Sequence, residues 1–488
     1  MSSGTKARVV KLSVFALAMI NVAAIVSARN LPIMAIYGWS MIALFAFSIL
    51  VFLIPISMAA AELGTAWPRD GGIYAWVKQA FGGRLGFLAV WCDYSENLVW
   101  FPTVLAFIAS SLAYVFDPAL ASNKLFLVAT MLAFFWTATI VNLFGVRTSS
   151  AVGTVGTLIG SILPGVLVVI LAAILLGGGT PSAIPFSAEA LVPDLNIHNL
   201  AFLGGIILLF TGMEMAGFHS REMRDPGRDI PRAFLLGVVI IITFSVVASL
   251  AVALVLPAKQ ISLVSGTMEM FRKVFDQLNV GWLVKPVALL VTIGGLAHIT
   301  PWILGPAKGV GAVARSGYAP PRLGRTNRRD VPVSLVIIQG IGGSLFALLF
   351  LFIPSVSTSY WMLSAITAQV VVLMYGLMFA SVIRLRYTQP GTPRPYRIPG
   401  GKLGVWLVAG IGIAGCATSL YLGFVPPSQL KTGNPLTYVL ILAAGVILLS
   451  APPFIFALFQ KASWKAEGAE EEAELDTEVP PADPVAAS

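Results

Sequence analysis

A chain of 488 residues that is 57% hydrophobic and only 11% charged, with a mean hydropathy of +0.87, is too apolar for a soluble domain, which would carry roughly a quarter charged residues. The formal net charge of +9 would suit nucleic acid, but the basic residues lie between apolar stretches, where the positive-inside rule accounts for them, and no domain is left to bind nucleic acid. With only two cysteines, Cys92 and Cys416, far apart and both in apolar stretches, neither a disulfide framework nor a zinc site is expected.

A helix needs about 20 apolar residues to cross the hydrocarbon core. Twelve stretches qualify, at 12–36, 39–63, 85–116, 125–144, 151–176, 200–218, 233–256, 282–313, 331–353, 360–382, 403–424 and 436–458. The third and eighth are long enough to tilt or to run past the bilayer. The expectation is an all-α integral membrane protein with 12 transmembrane helices and the lipid bilayer as its surroundings. Most of the 31 Lys and Arg residues fall in segments on one side, including Arg221, Arg224, Arg228 and Arg232, then Arg315 to Arg329, then Arg384 to Lys402. The other side holds only Lys124, Lys259, Arg272, Lys273, Lys285 and Lys431. This asymmetry predicts a multi-pass protein of the cytoplasmic (inner) membrane with both termini in the cytoplasm. The opening MSSGTKARVVKL shows no cleavage site, so 1–11 is read as a cytoplasmic terminus. Residues 12–382 then form a core of ten spans, 383–402 a cytoplasmic loop and 403–458 two further spans. The stretch 459–488 is an acidic tail, EGAEEEAELDTEVPPADPVAAS from Glu467 on, expected to be disordered.

Taken in order, the first span carries its own interruption, AIVSARNLPIMAIYG, with Arg29, Asn30 and Pro32, and proline removes a helical hydrogen bond. Arg29 either receives a substrate carboxylate in a bidentate pair or forms an internal ion pair with Asp93 or Glu96 of the third span, WCDYSENLVW. Glu62 closes the second span and reads as a structural partner for a basic residue. The amphipathic piece after it, PRDGGIYAWVKQAFGGR, offers Tyr74 and Trp76 to the membrane interface. Trp100, Tyr360 and Tyr375 either line a cavity or pack. The sixth span runs into TGMEMAGFHSREMRDPGRDIPRA, where Gly212, Glu214 and Gly217 stand close together before a basic loop.

An intramembrane carboxylate is expensive in hydrocarbon, so Glu214 is read as a gating or proton-linked group, with a structural carboxylate as the alternative. Interruptions in the first and sixth spans, five apart, suit a five-plus-five inverted repeat with two further helices. In such folds broken helices meet the substrate near mid-membrane. The bland alternative is a proline kink and close-packed glycines. His298, in GGLAHITPWILGP on the eighth span, either titrates and couples substrate to protons or is a hydrogen-bonded core residue. His198 and His219 fall at span ends and read as interfacial, and Lys308 snorkels to the cytoplasmic edge. There is no Walker loop, no His/Cys metal cluster and no nucleophile elbow, so an enzyme, a metal and a cofactor are all unexpected. A transporter remains, with a channel and a non-transporting sensor behind it.

Three stretches resemble the amino acid–polyamine–organocation transporter superfamily, in particular its bacterial glutamate/GABA antiporter group. They are ELGTAWPRDGGIYAW with AFGGRLGF, GMEMAGFHSREMRDPGRDIPRA, and LAHITPWILGPAKG with VPVSLVIIQG and PYRIPGGKLG. The resemblance implies ten helices in an inverted repeat plus two more, working by alternating access. It also implies that the substrate's amino and carboxyl groups meet Ile25, Val26, Ser27, Ala28, Arg29 and Asn30 in the first break, and Phe210, Thr211, Gly212, Met213 and Glu214 in the sixth. The chain departs from the antiporters at Arg29, Asn30 and Leu31, at His298 where they have a glutamate, and in its acidic tail. Its fifth span also lacks the lysine of some proton-coupled relatives. The expected function is exchange or proton symport of an amino acid, acidic or related, with Glu214, His298, Asp93 and Glu96 in coupling or gating. The alternative is an antiporter for cationic amino acids or polyamines, with Glu214, Glu96 and Asp93 as the cation's partners. Nothing in the sequence sets the oligomeric state.

Overall fold

The computed structural model describes residues 12–68, 72–144, 155–215, 223, 225–461 and 463–464. Every regular element among them is a helix. The expectations placed on 1–11, Gly217, His219, Arg221, Arg224 and the acidic tail lie outside the described residues.

Nine continuous helices are long and apolar enough to cross a bilayer, and two bent pairs raise this to 11 among the described residues. They coincide, give or take about two turns, with every predicted span except the sixth. The third and eighth, Gly83–Phe116 and Gly281–Arg315, have 34 and 35 residues. At 1.5 Å per residue each is about 50 Å long, well beyond the roughly 30 Å hydrocarbon core. Their outward sides, like those of the other spans, leave large apolar residues such as Leu50, Ile293, Leu345, Leu407 and Leu448 exposed. In water such a surface would aggregate, whereas in a bilayer it is solvated.

The first span is two helices, Val14–Ile25 and Ala28–Ala35, bent by 45°. The break comes before Pro32 and is not caused by it. Val26 and Ser27 are extended, and Pro32 sits in the first turn of Leu31–Ala35, where its missing N–H has no helical partner to lose. The last span bends by 44° between Pro435–Ser450 and Pro452–Leu458, at the Pro452–Pro453 pair. In place of one continuous sixth helix there is Leu203–Leu208, followed by turns through Glu214.

Tyr74 and Trp76 are covered by protein and do not face lipid. They lie on Ile73–Phe81, are 8% and 1% exposed, and pack inward. The Tyr74 ring is 3.1 Å from where a Cβ on Gly86 would stand, and the Trp76 Nε1–H donates to the Trp67 carbonyl at 3.3 Å. The apolar face of this helix is spent on protein, not on lipid. Glu62 has a basic partner, in fact two. Arg386 grips it with Nε at 2.5 Å and Nη2 at 2.6 Å, Arg394 Nε stands at 3.2 Å, and the Ile398 N–H donates to it at 2.9 Å. The cluster ties the ends of the second and tenth spans to the loop after the tenth. Lys308 pairs with Asp330 at 2.9 Å on a half-exposed surface.

Candidate functional site

The two breaks face each other. Gly212 has φ +98°, a left-handed conformation that glycine alone adopts without strain. A Cβ added there would stand 3.4 Å from Ala24 Cβ and 3.8 Å from Ile25 Cγ1, so the turn of the sixth segment is laid on the break of the first. A small cavity of about 60 Å³ lies between them, walled on the other sides by the third, eighth and tenth spans.

Of the residues expected in the breaks, Ile25, Ser27, Arg29, Asn30, Thr211, Gly212 and Glu214 line this cavity, together with Asp93, Glu96 and His298. Val26, Ala28, Phe210 and Met213 do not, and all four are buried in packing. Phe210 meets the Phe45 ring edge-on at 6.0 Å, and the Ala28 carbonyl accepts from Thr267 Oγ1 at 2.9 Å. Trp100, Trp302, Tyr375, Ala24, Val104, Leu209, Val371 and Met374 complete the wall. Of these, Trp100 and Tyr375 were weighed from the sequence. The aliphatic members carry no sequence signal, because an apolar residue in an apolar span is legible only as a span.

Arg29 is 7% exposed. Its Nη1 donates to Thr103 Oγ1 at 2.5 Å, and its guanidinium lies 5.5 Å from the Trp100 ring and 5.9 Å from the Tyr360 ring. No carboxylate among the described residues comes within ion-pair distance of it, Asp93 and Glu96 included. Its other nitrogens are not sealed in without a partner and so open towards the cavity. Two aromatic faces and one hydroxyl thus hold a cation whose bidentate edge is unspent.

Glu214 is held from the tenth span. The Gly212 N–H donates to Tyr375 Oη at 2.8 Å, and the Tyr375 hydroxyl donates in turn to Glu214 Oε2 at 2.7 Å. One phenol therefore satisfies both a freed backbone donor and a buried carboxylate. On the third span, Asn97 Nδ2 donates to Glu96 Oε1 at 2.9 Å and to the Asp93 carbonyl at 2.7 Å. On the eighth, His298 Nδ1 lies 2.8 Å from Thr157 Oγ1 of the fifth span. That contact depends on close approach, since a Cβ on Gly160 would stand 2.5 Å from the Gly294 carbonyl carbon. Among the described residues no group of three His, Cys, Asp or Glu side chains is placed to hold a metal ion.

The arrangement is a cavity within the membrane-spanning bundle, with a guanidinium, three carboxylates and a histidine on its wall. The chain is similar over most of its length to known membrane transporters. The chain is 39% identical to an uncharacterized transporter of Legionella pneumophila, over 91% of this chain and 96% of that one. It is 31% identical to a glutamate/gamma-aminobutyrate antiporter of Lactococcus lactis, over 91% of this chain and 90% of that one. It is 24% identical to a probable agmatine/putrescine antiporter of the same species, over 72% and 74%. The family model described as amino acid permease matches residues 12–447, and the chain belongs to that family of multi-pass membrane transporters.

Proposed function

We propose that this chain carries an amino acid across the cytoplasmic membrane by alternating access, as an exchanger or a proton-coupled symporter, with the cavity between the two breaks as its substrate site. Arg29 carries the reading. A buried cation with no carboxylate among the described residues at ion-pair distance is costly inside a membrane protein, and the carboxylate of an arriving amino acid relieves that cost in a bidentate pair. Glu214 serves as the gate on the sixth segment, released or held through Tyr375. Protons, where they are coupled, ride on Glu214, His298, Asp93 and Glu96. The likeness to the glutamate/gamma-aminobutyrate antiporter supports exchange and makes those two compounds the first pair to try. The lysine and arginine asymmetry supports cytoplasmic termini.

The site assignment has a direct test. Both natural cysteines, Cys92 and Cys416, are buried. Ser27→Cys therefore places one reactive thiol at the break. An amino acid that is transported should slow its labelling by a membrane-impermeant reagent. Equal labelling rates with every amino acid, in a protein that still transports one, would move the site elsewhere.

A second reading is an antiporter for cationic amino acids or polyamines. It is favoured by the three carboxylates Asp93, Glu96 and Glu214 on the same wall and by the likeness to the agmatine/putrescine antiporter. Agmatine and putrescine belong in the labelling panel for that reason. Protection by them, and not by carboxylate-bearing compounds, selects this reading.

A further inference from the structure

We infer that the end of the eleventh span that begins at Gly401 is a binding site for an anionic phospholipid, with Lys402 on its phosphate and the exposed aliphatic row below Lys402 along its acyl chains. The inference needs only that the chain spans a membrane and does not depend on what it carries.

The loop after the tenth span enters the helix Gly401–Gly423 through Gly400 and Gly401, whose φ values are +83° and +64°. Lys402 therefore stands in the first turn, at the edge of the hydrocarbon. Its Nζ lies 4.6 Å from the centre of the Tyr387 ring, which belongs to the last turn of Val356–Thr388. Trp406, one turn further along the eleventh span, donates from Nε1 to Tyr387 Oη at 3.0 Å. The indole N–H is thereby satisfied where lipid tails offer it no acceptor, and the bonded rings seat the lysine ammonium. Below them Leu403, Leu407 and Ile411 recur every four residues on one side of the helix and are 70%, 55% and 44% exposed. The result is a seated cation at the water's edge above a continuous apolar strip.

Charge decides the occupant. From Val331 to Ala466 the chain has no Asp or Glu, while Arg384, Arg386, Arg394, Arg397 and Lys402 follow one another closely. The carboxylate that serves this loop, Glu62, is already held by Arg386 and Arg394. Among the described residues no carboxylate comes within ion-pair distance of Lys402, or of Arg384, which is exposed one turn before Tyr387. A second copy docking by this same face would bring cations and no carboxylate, and like charges repel. A soluble anion would match the cations but not the aliphatic row, and a neutral phospholipid the row but not the net charge. An anionic phospholipid matches both, and each cation at headgroup level is worth about 5-fold in its affinity.

Native mass spectrometry of the purified, delipidated protein, titrated with phosphatidylglycerol and with phosphatidylcholine of the same acyl chains, tests the site. Phosphatidylglycerol is expected to bind at least about 5-fold more tightly, and Lys402→Gln should cut that preference by about 5-fold. Lys431→Gln removes the same charge from an exposed position beyond the other end of the span and should leave the preference intact. No preference in the wild type, or the same loss in both variants, overturns the inference. Tyr387→Phe keeps the ring under Lys402 and should retain the preference, whereas Tyr387→Leu should weaken it; equal binding by the two would contradict the aromatic seat. Free glycerol phosphate, a headgroup without chains, should not displace the lipid at equal concentration. Displacement would make this a site for a soluble phosphate and contradict the proposal. So would a dimer without bound lipid in the same spectra that Leu407→Lys abolishes, which would give the face to a second copy.

Discussion

Arg29 is where the chemistry of single residues decides most. Lysine keeps its charge but not its fork or its stacking on Trp100 and Tyr360. Arg29→Lys is therefore expected to weaken competition by a carboxylate-bearing substrate by about 10- to 100-fold, the range for a hydrogen bond to a charged group. Arg29→Ala is expected to abolish it. Unchanged uptake of every substrate by Arg29→Ala would reduce Arg29 to a prop for Thr103. Tyr375→Phe removes one acceptor of the Gly212 N–H and the hydroxyl donor of Glu214 at once, leaving the carboxylate its backbone donors at Gly212 and Glu214. Losing the hydroxyl between them, at roughly 0.5–1.5 kcal/mol per hydrogen bond, should lower the melting temperature in detergent and slow transport together. A phenylalanine variant with normal exchange rates would take Tyr375 out of the gate. The charged members of the cavity were legible in the sequence because charge in an apolar span has to be explained. Their partners were not: Thr103 and Thr157 look like ordinary span residues, and only proximity shows that they hold Arg29 and His298.

At the scale of elements, the first break was legible as a cluster of polar residues, but its cause was misread. The extended residues are Val26 and Ser27, and Pro32 merely starts the next helix. The interfacial reading of Tyr74 and Trp76 failed because amphipathicity says that one face is apolar without saying whether lipid or protein covers it. Helix contacts give sharper expectations. Gly294 on the eighth span faces Gly160 so closely that a Cβ would come 2.3 Å from the Gly160 nitrogen, whereas a Cβ at Gly305 on the same helix meets nothing within 4 Å. Gly294→Ala should part the fifth and eighth spans, separate Thr157 from His298 and depress transport, and Gly305→Ala should be silent. Equal behaviour of the two variants in expression, stability and uptake would contradict this packing.

For the molecule as a whole, 11 of the 12 expected spans have a described helix or bent pair, because about 20 apolar residues leave little choice in a bilayer. What hydropathy cannot supply is the tie between distant ends. Glu62 lies far in sequence from Arg386 and Arg394, and its partner was expected only as an unnamed basic residue. Side chains here are 1%, 3% and 5% exposed, so Glu62→Gln leaves two buried cations with no carboxylate and should cost about 3–5 kcal/mol. Lys308→Ala breaks an exposed pair and should cost no more than about 1 kcal/mol. Melting temperatures of the two variants check the contrast, and a Glu62→Gln protein as stable as wild type would mean that the clamp is not needed to hold the loop.

The most direct test of the transport account is uptake of labelled amino acids into liposomes containing the purified protein. Glutamate and γ-aminobutyrate head the panel, and each is run into empty and amino-acid-loaded vesicles, with and without an inward proton gradient. The account predicts saturable uptake that depends on an internal amino acid or on the proton gradient, and that Arg29→Ala abolishes. An absence of uptake for every compound under every condition, in vesicles shown to hold folded protein, would contradict it.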